Sequence, residues 1–194
     1  RSTLFPYTTL FRSEPFVDTT IRAFLKAGAE DAAIQLMVLA DGSERAALKA
    51  LAETAPADVR RRIHWLGRKP YDELVDYYRA ADLYLSSSIT DGSSVSLLEA
   101  MGCGLPVLVS DIPGNLEWVD DGKSGFLFPV GDSDAMAERM LFLSRRRTTL
   151  RPIGASARLR IESEADWSRN IRKITEAYAS AIRHVAGLSA GNAG

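Results

Sequence analysis

The sequence predicts an α/β fold, a doubly wound parallel sheet with helices on both faces, followed by a long C-terminal helix. Three observations lead there. From residue 14 onward, short apolar runs of strand length alternate with amphipathic helical segments, the order that produces strand–helix–strand crossovers. The runs are apolar almost throughout instead of alternating, as strands covered on both faces require. Beyond residue 166, Trp167, Ile171, Ile174, Tyr178 and Ile182 recur at steps of three and four, the stripe of a separate amphipathic helix.

Taken in order, the chain opens with "RSTLFPYTTLFRS", which nearly mirrors itself about "PYT" and lacks an initiating methionine. It resembles a translated sequencing-adapter remnant, so residues 1–13 are expected to be non-native and are set aside for function. Their Thr, Phe and Tyr content also permits a strand. "DTTIRAFLKAGA" then places Ile21, Phe24 and Leu25 at helical spacing. "AIQLMVLA" is a strand ending in "DGSE", a turn able to start the helix "ERAALKALAETA". "RIHWLG" is a strand closed by Gly67, and "YDELVDYYRAA" is a helix with Leu74, Val75 and Tyr78 inward. "DLYLSS", a loop and helix over 88–104, "VLVSD", a short helix around "NLEWV", and "GFLFPV" follow. A further helix starts at Asp132, which with Ser133 and Asp134 suits capping better than metal binding. The domain proper is expected to span 14–160, with the C-terminal helix over 161–186, capped by Asp166, and a polar, frayed tail over 187–194.

Composition excludes several classes. The 194 residues carry a formal net charge of -1, which provides no broad field for nucleic acid or an anionic membrane. The runs Arg60–Arg62 and Arg145–Arg147 are expected as solvated surface near helix ends. A single cysteine, Cys103, rules out an internal disulfide, and His64 and His184 have no metal-ligand spacing around them. No apolar run approaches the roughly 20 residues of a membrane span. The expectation is a soluble, cytoplasmic protein without a metal or other cofactor.

One stretch resists a purely structural reading. Between two strands lies "DGSSVSLLEAMGCGLP", an acid–glycine–serine loop leading into a helix that is apolar on most sides except at Glu99. In an open α/β sheet the ligand sits outside the carboxyl ends of the strands, which singles out the loops at 41–43, 67–69 and 91–95. The first amides of a helix starting near Ser94 lack intrahelical partners and form a ready phosphate site. Gly92 lets backbone approach a ligand, and Ser93 and Ser94 add hydroxyl donors. Asp91 would be repelled by phosphate and suits neutral sugar hydroxyls. Glu99 suits two vicinal hydroxyls, as on a ribose. The spacing Ser96 to Glu99 also fits a capping box, in which Glu99 merely reaches back to a backbone N–H.

The run "DGSSVSLLEAMGCGLPVLVSDIPGNLEWVDDGKSGFLFPVGD" (91–132) resembles the nucleotide-sugar-binding half of family-4 glycosyltransferases, retaining enzymes of the two-domain GT-B fold. Their signature is two acids separated by seven residues, then Ala-Met, a glycine-proline pair and a strand. Here the acids are Asp91 and Glu99, with aspartate in place of the more usual first glutamate. The similarity extends more loosely over 15–178. It implies a Rossmann-like donor-binding domain that takes a nucleotide-diphosphate sugar as substrate. Asp91 would contact the donor sugar as the catalytic-site acid. Gly92, Ser93, Ser94 and Val95 would meet the sugar-diphosphate, and Glu99 the ribose. Gly67 and Arg68 match the base-binding position, and Gly42 a glycine facing the donor cleft. Glu117 is expected to stabilise its loop, with proximity to the donor sugar as the alternative.

Two departures from the pattern stand out. The family's diphosphate-neutralising lysine is replaced by Pro15, with Arg12 the only nearby arginine. The partner domain, which would hold an acceptor sugar, lipid or small molecule, is outside this sequence, so the chain alone is expected to bind donor weakly and transfer negligibly. The final helix would then expose its apolar stripe, or pack it on this domain. The resemblance also leaves room for peripheral membrane association of the intact parent. Competing readings are a nucleotide-sugar epimerase of GT-B fold and a non-catalytic nucleotide-binding module. The absence of G-x-G-x-x-G after a first strand speaks against a dinucleotide domain.

Overall fold

The computed structural model describes residues 3–7, 18–39 and 41–191, with side chains described within 18–39 and 41–184. Six parallel strands form one sheet in the order β3-β2-β1-β4-β5-β6. They are β1 (Thr3–Tyr7), β2 (Ile34–Val38), β3 (Ile63–Trp65), β4 (Tyr84–Ser86), β5 (Val107–Ser110) and β6 (Phe126–Phe128). The helices are α1 (Asp18–Glu30), α2 (Arg45–Ala52), α3 (Ala57–Arg60), α4 (Tyr71–Ala80), α5 (Val95–Gly102), α6 (Pro113–Leu116), α7 (Ser133–Ser144), α8 (Arg147–Glu164) and α9 (Trp167–Gly191). This is the predicted doubly wound α/β fold with a long helix after it.

Burial shows why the strands read as unbroken apolar runs. Leu83, Leu85 and Leu108 join Ile34, Leu36 and Val38 in one layer, with Phe24 of α1 and Met136 and Met140 of α7. Tyr84, Val107 and Val109 face the other way, into a layer with Tyr78 of α4 and Leu97 and Met101 of α5. Successive residues serve opposite faces, and both faces are apolar because both are covered.

Strand β1 occupies the centre of the sheet. Its backbone pairs with β2 from Thr3↔Ile34 to Tyr7↔Val38, and with β4 at Tyr7↔Leu85. The sheet thus draws a central strand from the segment set aside as foreign, through backbone pairing that β-forming residues support. Arg12 and Pro15 lie outside the described residues.

Three features depart from the sequence reading. Arg62, expected in solvent, is a half-buried clasp. Its guanidinium donates to the carbonyls of Gly28 (2.6 Å), Asp31 (3.1 Å), Ile34 (3.1 Å) and Asp58 (3.0 Å), tying the α1–β2 turn to the segment before β3. A charged donor that satisfies orphan helix-end carbonyls belongs in that position. Arg145 and Arg146 are exposed, as expected.

The stretch "RPIGASARLRIESE" was read without a helix but lies in α8, with Pro152 inside it. Tertiary contact overrides propensity there. A Cβ on Gly154 would stand 2.1 Å from the Gly104 carbonyl oxygen, so α8 backbone rests directly on the turn after α5. Gly104 itself has φ +72°, which only glycine adopts freely.

The C-terminal helix begins at Trp167, six residues later than expected, and runs to Gly191 into the stretch read as a polar tail. Residues 161–164 belong to α8. Asp166 caps α9 by accepting from the Arg169 amide (2.7 Å). Asp132 likewise caps α7, accepting from the amides of Asp134 (3.0 Å) and Ala135 (2.9 Å). Of the two arrangements considered for the α9 stripe, exposure is the one observed: Trp167, Tyr178 and Ile182 are each 69% exposed. No helix among the described residues is long and apolar enough to cross a membrane.

Asp31 joins α1 to α7. Its carboxylate accepts from the Ala33 amide (2.9 Å) and the Ser144 hydroxyl (2.8 Å). Burial works to raise the Asp31 carboxyl, but these donors and the nearby Arg145 and Arg147 charges outweigh it and hold the group below its ordinary value. A depressed folded pKa means the stabilisation is fully present above the unfolded value of about 3.9 and is lost as pH falls through the folded one. Asp31→Asn is therefore expected to flatten the acid limb of stability against pH, measured by urea unfolding between about pH 6 and 3. An unchanged acid limb would rule the contact out as a contributor. Gly154→Ala is expected to cost about 1–3 kcal/mol, the usual range for overpacking. An unfolding midpoint equal to that of the parent chain would show that α8 and the Gly104 turn do not bear on each other.

Candidate functional site

The strand order reverses between β1 and β4, because the chain winds outward through β2 and β3 on one side and through β5 and β6 on the other. Connections leave in opposite directions at that point, opening a crevice above the strand ends. The loop 87–94 leaves from β4 into it. Thr20, in the first turn of α1, is fully buried and donates to the Ser87 hydroxyl at 2.9 Å. The N-terminal ends of α1 and of the segment leading to α5 are therefore sealed side by side.

Loop 91–94 is built from its neighbours. Helix α6 backs directly onto it: a Cβ on Gly114 would lie 2.2 Å from the Gly92 carbonyl oxygen and 2.5 Å from that of Asp91. The Trp118 indole N–H donates to the Ser93 hydroxyl at 3.1 Å. Further back, Ser110 donates to the Ser88 carbonyl, and the Asn115 side-chain amide donates to the Ser110 carbonyl at 2.8 Å. The loops after β4 and β5 thus move as one body. A Cβ on Gly92, in contrast, would meet nothing within 4 Å. Packing within the chain does not require a glycine there.

Helix α5 starts from Ser94, whose backbone is extended and whose side chain makes no capping bond. The amides of Val95, Ser96 and Leu97 come before the first intrahelical bond, from the Leu98 amide to the Ser94 carbonyl. The capping box does not form. Ser96 lies inside the helix, its hydroxyl shared with the hydroxyls of Tyr84 (2.8 Å) and Ser94 (3.3 Å).

Glu99 instead accepts from the Tyr78 hydroxyl at 3.1 Å. The Glu99 charge, and then its carboxylate as an acceptor, push the hydroxyl of Tyr71 at the start of α4 above its ordinary value. The Tyr78 hydroxyl gives a carboxylate on an otherwise apolar helix a partner, so that it is half-buried without isolation.

Sequence reasoning missed Tyr78 as the partner of Glu99 and Trp118 as the partner of Ser93, and it read Ser96 as a possible cap. The available signal was Tyr78 itself, a hydroxyl on the inward face of its helix. Cys103, just after α5, is half-buried, and burial pushes its thiol up, away from a nucleophile's range.

The remaining expected residues lie at the ends of β2 and β3. Gly67 is buried with φ +69°, a left-handed turn directly after β3. The Arg45 guanidinium reaches over it, 3.8 Å from where a Cβ would be, and is held by Asp41 at 3.0 Å. The Gly42 amide donates to Asp41 at 3.1 Å. Arg68 is exposed beside this turn. Gly42, Gly67 and Arg68 thereby lie together at the ends of β2 and β3. Asp91, Gly92, Ser93 and Val95 are exposed on the rim formed by β4 and α5, and Ser94 is half-buried there. His64 is not part of it, its ring nitrogen lying 2.8 Å from Gln35. Among the described residues no group of three or more His, Cys, Asp or Glu comes together to hold a metal ion.

An open parallel sheet with the first amides of a helix at its strand ends is the architecture in which α/β proteins commonly take phosphate-bearing ligands. The chain belongs to the glycosyl transferases group 1 family, whose pattern matches residues 10–146. The amylovoran biosynthesis glycosyltransferase AmsK of Erwinia amylovora is 34% identical over 128 residues, which cover 63% of this chain and 31% of that protein. The sulfoquinovosyl transferase SQD2 of Arabidopsis thaliana is 35% identical over 115 residues, covering 57% and 22% respectively.

Among solved structures, the sucrose-phosphate synthase of Thermosynechococcus elongatus superposes with a TM-score of 0.82 at 22% identity, over 94% of this chain and 46% of that one. Anabaena HepE in complex with UDP-glucose gives 0.79 at 20% identity, over 92% and 49%. These likenesses establish the fold, a Rossmann-like half of the GT-B type. The chain spans less than half the length of each of these relatives.

Gly114→Ala is expected to displace loop 91–94, because the atoms it strikes are backbone carbonyls with no rotamer to give. Amide spectra should shift at 91–94 while the β2–β3 side stays unchanged. Spectra altered across the whole sheet, or nowhere, would contradict the buttress.

Proposed function

We propose that this chain is the donor-binding half of a retaining, family-4 glycosyltransferase, which moves a sugar from a nucleotide-diphosphate donor to an acceptor. The observation that carries the reading is Gly92. It is a glycine in the crevice loop with open space where a side chain would be, backed by Gly114 and followed by the free amides of α5. A loop held rigid from behind and bare in front suits close approach of a ligand backbone.

In this reading the α5 amides and the hydroxyls of Ser93 and Ser94 meet the diphosphate. The partial positive charge of the helix end stabilises the leaving group as negative charge develops on it. Asp91 accepts from hydroxyls of the donor sugar, and Glu99 from the two ribose hydroxyls. The turn at Gly67 and Arg68 faces the base, and Gly42 borders the cleft. The acceptor arrives from a second domain and attacks from the face the diphosphate leaves. The transferases named above favour transfer over epimerisation. Residues 1–13 are read as non-native within the same proposal, standing where the parent has its own first strand.

Without the other domain, donor binding is expected to be weak and transfer negligible. Calorimetric titration of UDP, GDP, ADP and their sugar conjugates tests this. One nucleotide should bind, and Glu99→Ala should weaken it about 10- to 100-fold, the loss of one or two hydrogen bonds to a charged group. If no nucleotide binds even after a native first strand is restored, the donor-site reading fails.

A further inference from the structure

We propose that Tyr78 is a positioning residue for Glu99, holding its carboxylate for a ribose diol. The inference rests on the donor-site reading above and adds one residue to it.

Tyr78 is 2% exposed, its ring 6.4 Å from that of Tyr84 within the layer that holds Leu97 and Met101. Close packing holds the ring, so its hydroxyl marks a fixed point 3.1 Å from Glu99 Oε2.

A carboxylate offers about four lone-pair directions. Tyr78 uses one, and a vicinal diol brings two more donors, a total within that capacity. The terminal torsion of a glutamate is broad, so a carboxylate without a fixed donor turns freely. Tyr78 removes that freedom and leaves the two oxygens aimed as a pair. The loss of its hydroxyl should therefore fall on recognition of the diol, and not on the base or the phosphates. Neighbouring Ser96 is fixed the same way by Tyr84, at 2.8 Å, so two hydroxyl contacts from buried tyrosines stiffen the polar side of α5.

The experiment compares affinities for UDP and 2′-deoxy-UDP, with the GDP and ADP pairs in parallel, on the parent chain and Tyr78→Phe. The parent is expected to prefer the ribonucleotide by at least about tenfold, since the deoxy form leaves one directed acceptor unmet. Tyr78→Phe should bring the ratio to within about threefold while binding of the deoxynucleotide changes little. Tyr78→Phe removes one oxygen and leaves the ring packing, and its melting curve checks the fold. Placing 4-aminophenylalanine at position 78 restores a donor of the same shape and should recover the ratio in part.

A Tyr78→Phe chain with the parent's ratio would overturn the positioning role while leaving the donor-site reading intact. A parent chain that binds ribo- and deoxynucleotide equally would overturn the placing of Glu99 at the diol, and the positioning role with it. Binding of neither, even with a native first strand restored, would remove the donor-site reading itself.

Discussion

Between β1 and β4 the direction of winding changes, and the buried hydrogen bond from Thr20 to Ser87 bridges the elements on either side. The rest of the site depends on this junction. Parallel strands place all their carboxyl ends at one edge, so the loops that follow β2, β3 and β4 meet there whatever their sequence distance. Residues 42, 67 and 92 share a rim because the strands before them share a direction. The crevice is a product of topology first and of side chains second.

Close backbone contact then makes the rim rigid. Gly114 lets α6 rest on the carbonyls of Asp91 and Gly92, and Gly154 lets α8 rest on the Gly104 carbonyl. Each contact needs a hydrogen where other residues carry a carbon. Between them these contacts hold α5 at both ends: its leading loop from one side and its trailing turn from the other. A helix fixed at both ends presents its first amides in a constant direction, which electrostatic stabilisation of a leaving group requires. Polar contacts add to this stiffness. Trp118 steadies Ser93, Tyr84 steadies Ser96, and Tyr78 steadies Glu99.

The far end of the chain has a different physical character. Along α9, large apolar side chains are held in solvent, with Arg169, Arg172, Lys173 and Arg183 on the same helix. A helix of this length gains little from propensity alone and depends on burying a face. Its Asp166 cap fixes where it starts, but nothing within the described domain covers the stripe.

Much of this was legible in the sequence. Apolar runs without alternation announced a sheet covered on both faces, and the five strands read from residue 33 onward lie where those runs are. The caps at Asp132 and Asp166 were readable because capping is a local bond between a side chain and the next turn. The acid–glycine–serine loop and Glu99 were recognisable as polar chemistry inside apolar surroundings. What local pattern could not supply were the partners across the fold. Tyr78 reaches Glu99 from a helix more than twenty residues earlier. Arg62 looked like one member of a solvated run, but three carbonyls from the distant α1–β2 region and a fourth nearby close around it. Helix α8 was hidden because Pro152 and Gly154 argue against a helix locally, whereas its packing on Gly104 favours one. Short-range chemistry determined the elements, their caps and the candidate loop. Only the tertiary structure decided which groups meet, because that depends on where parallel strands end and on how closely glycine lets backbones approach.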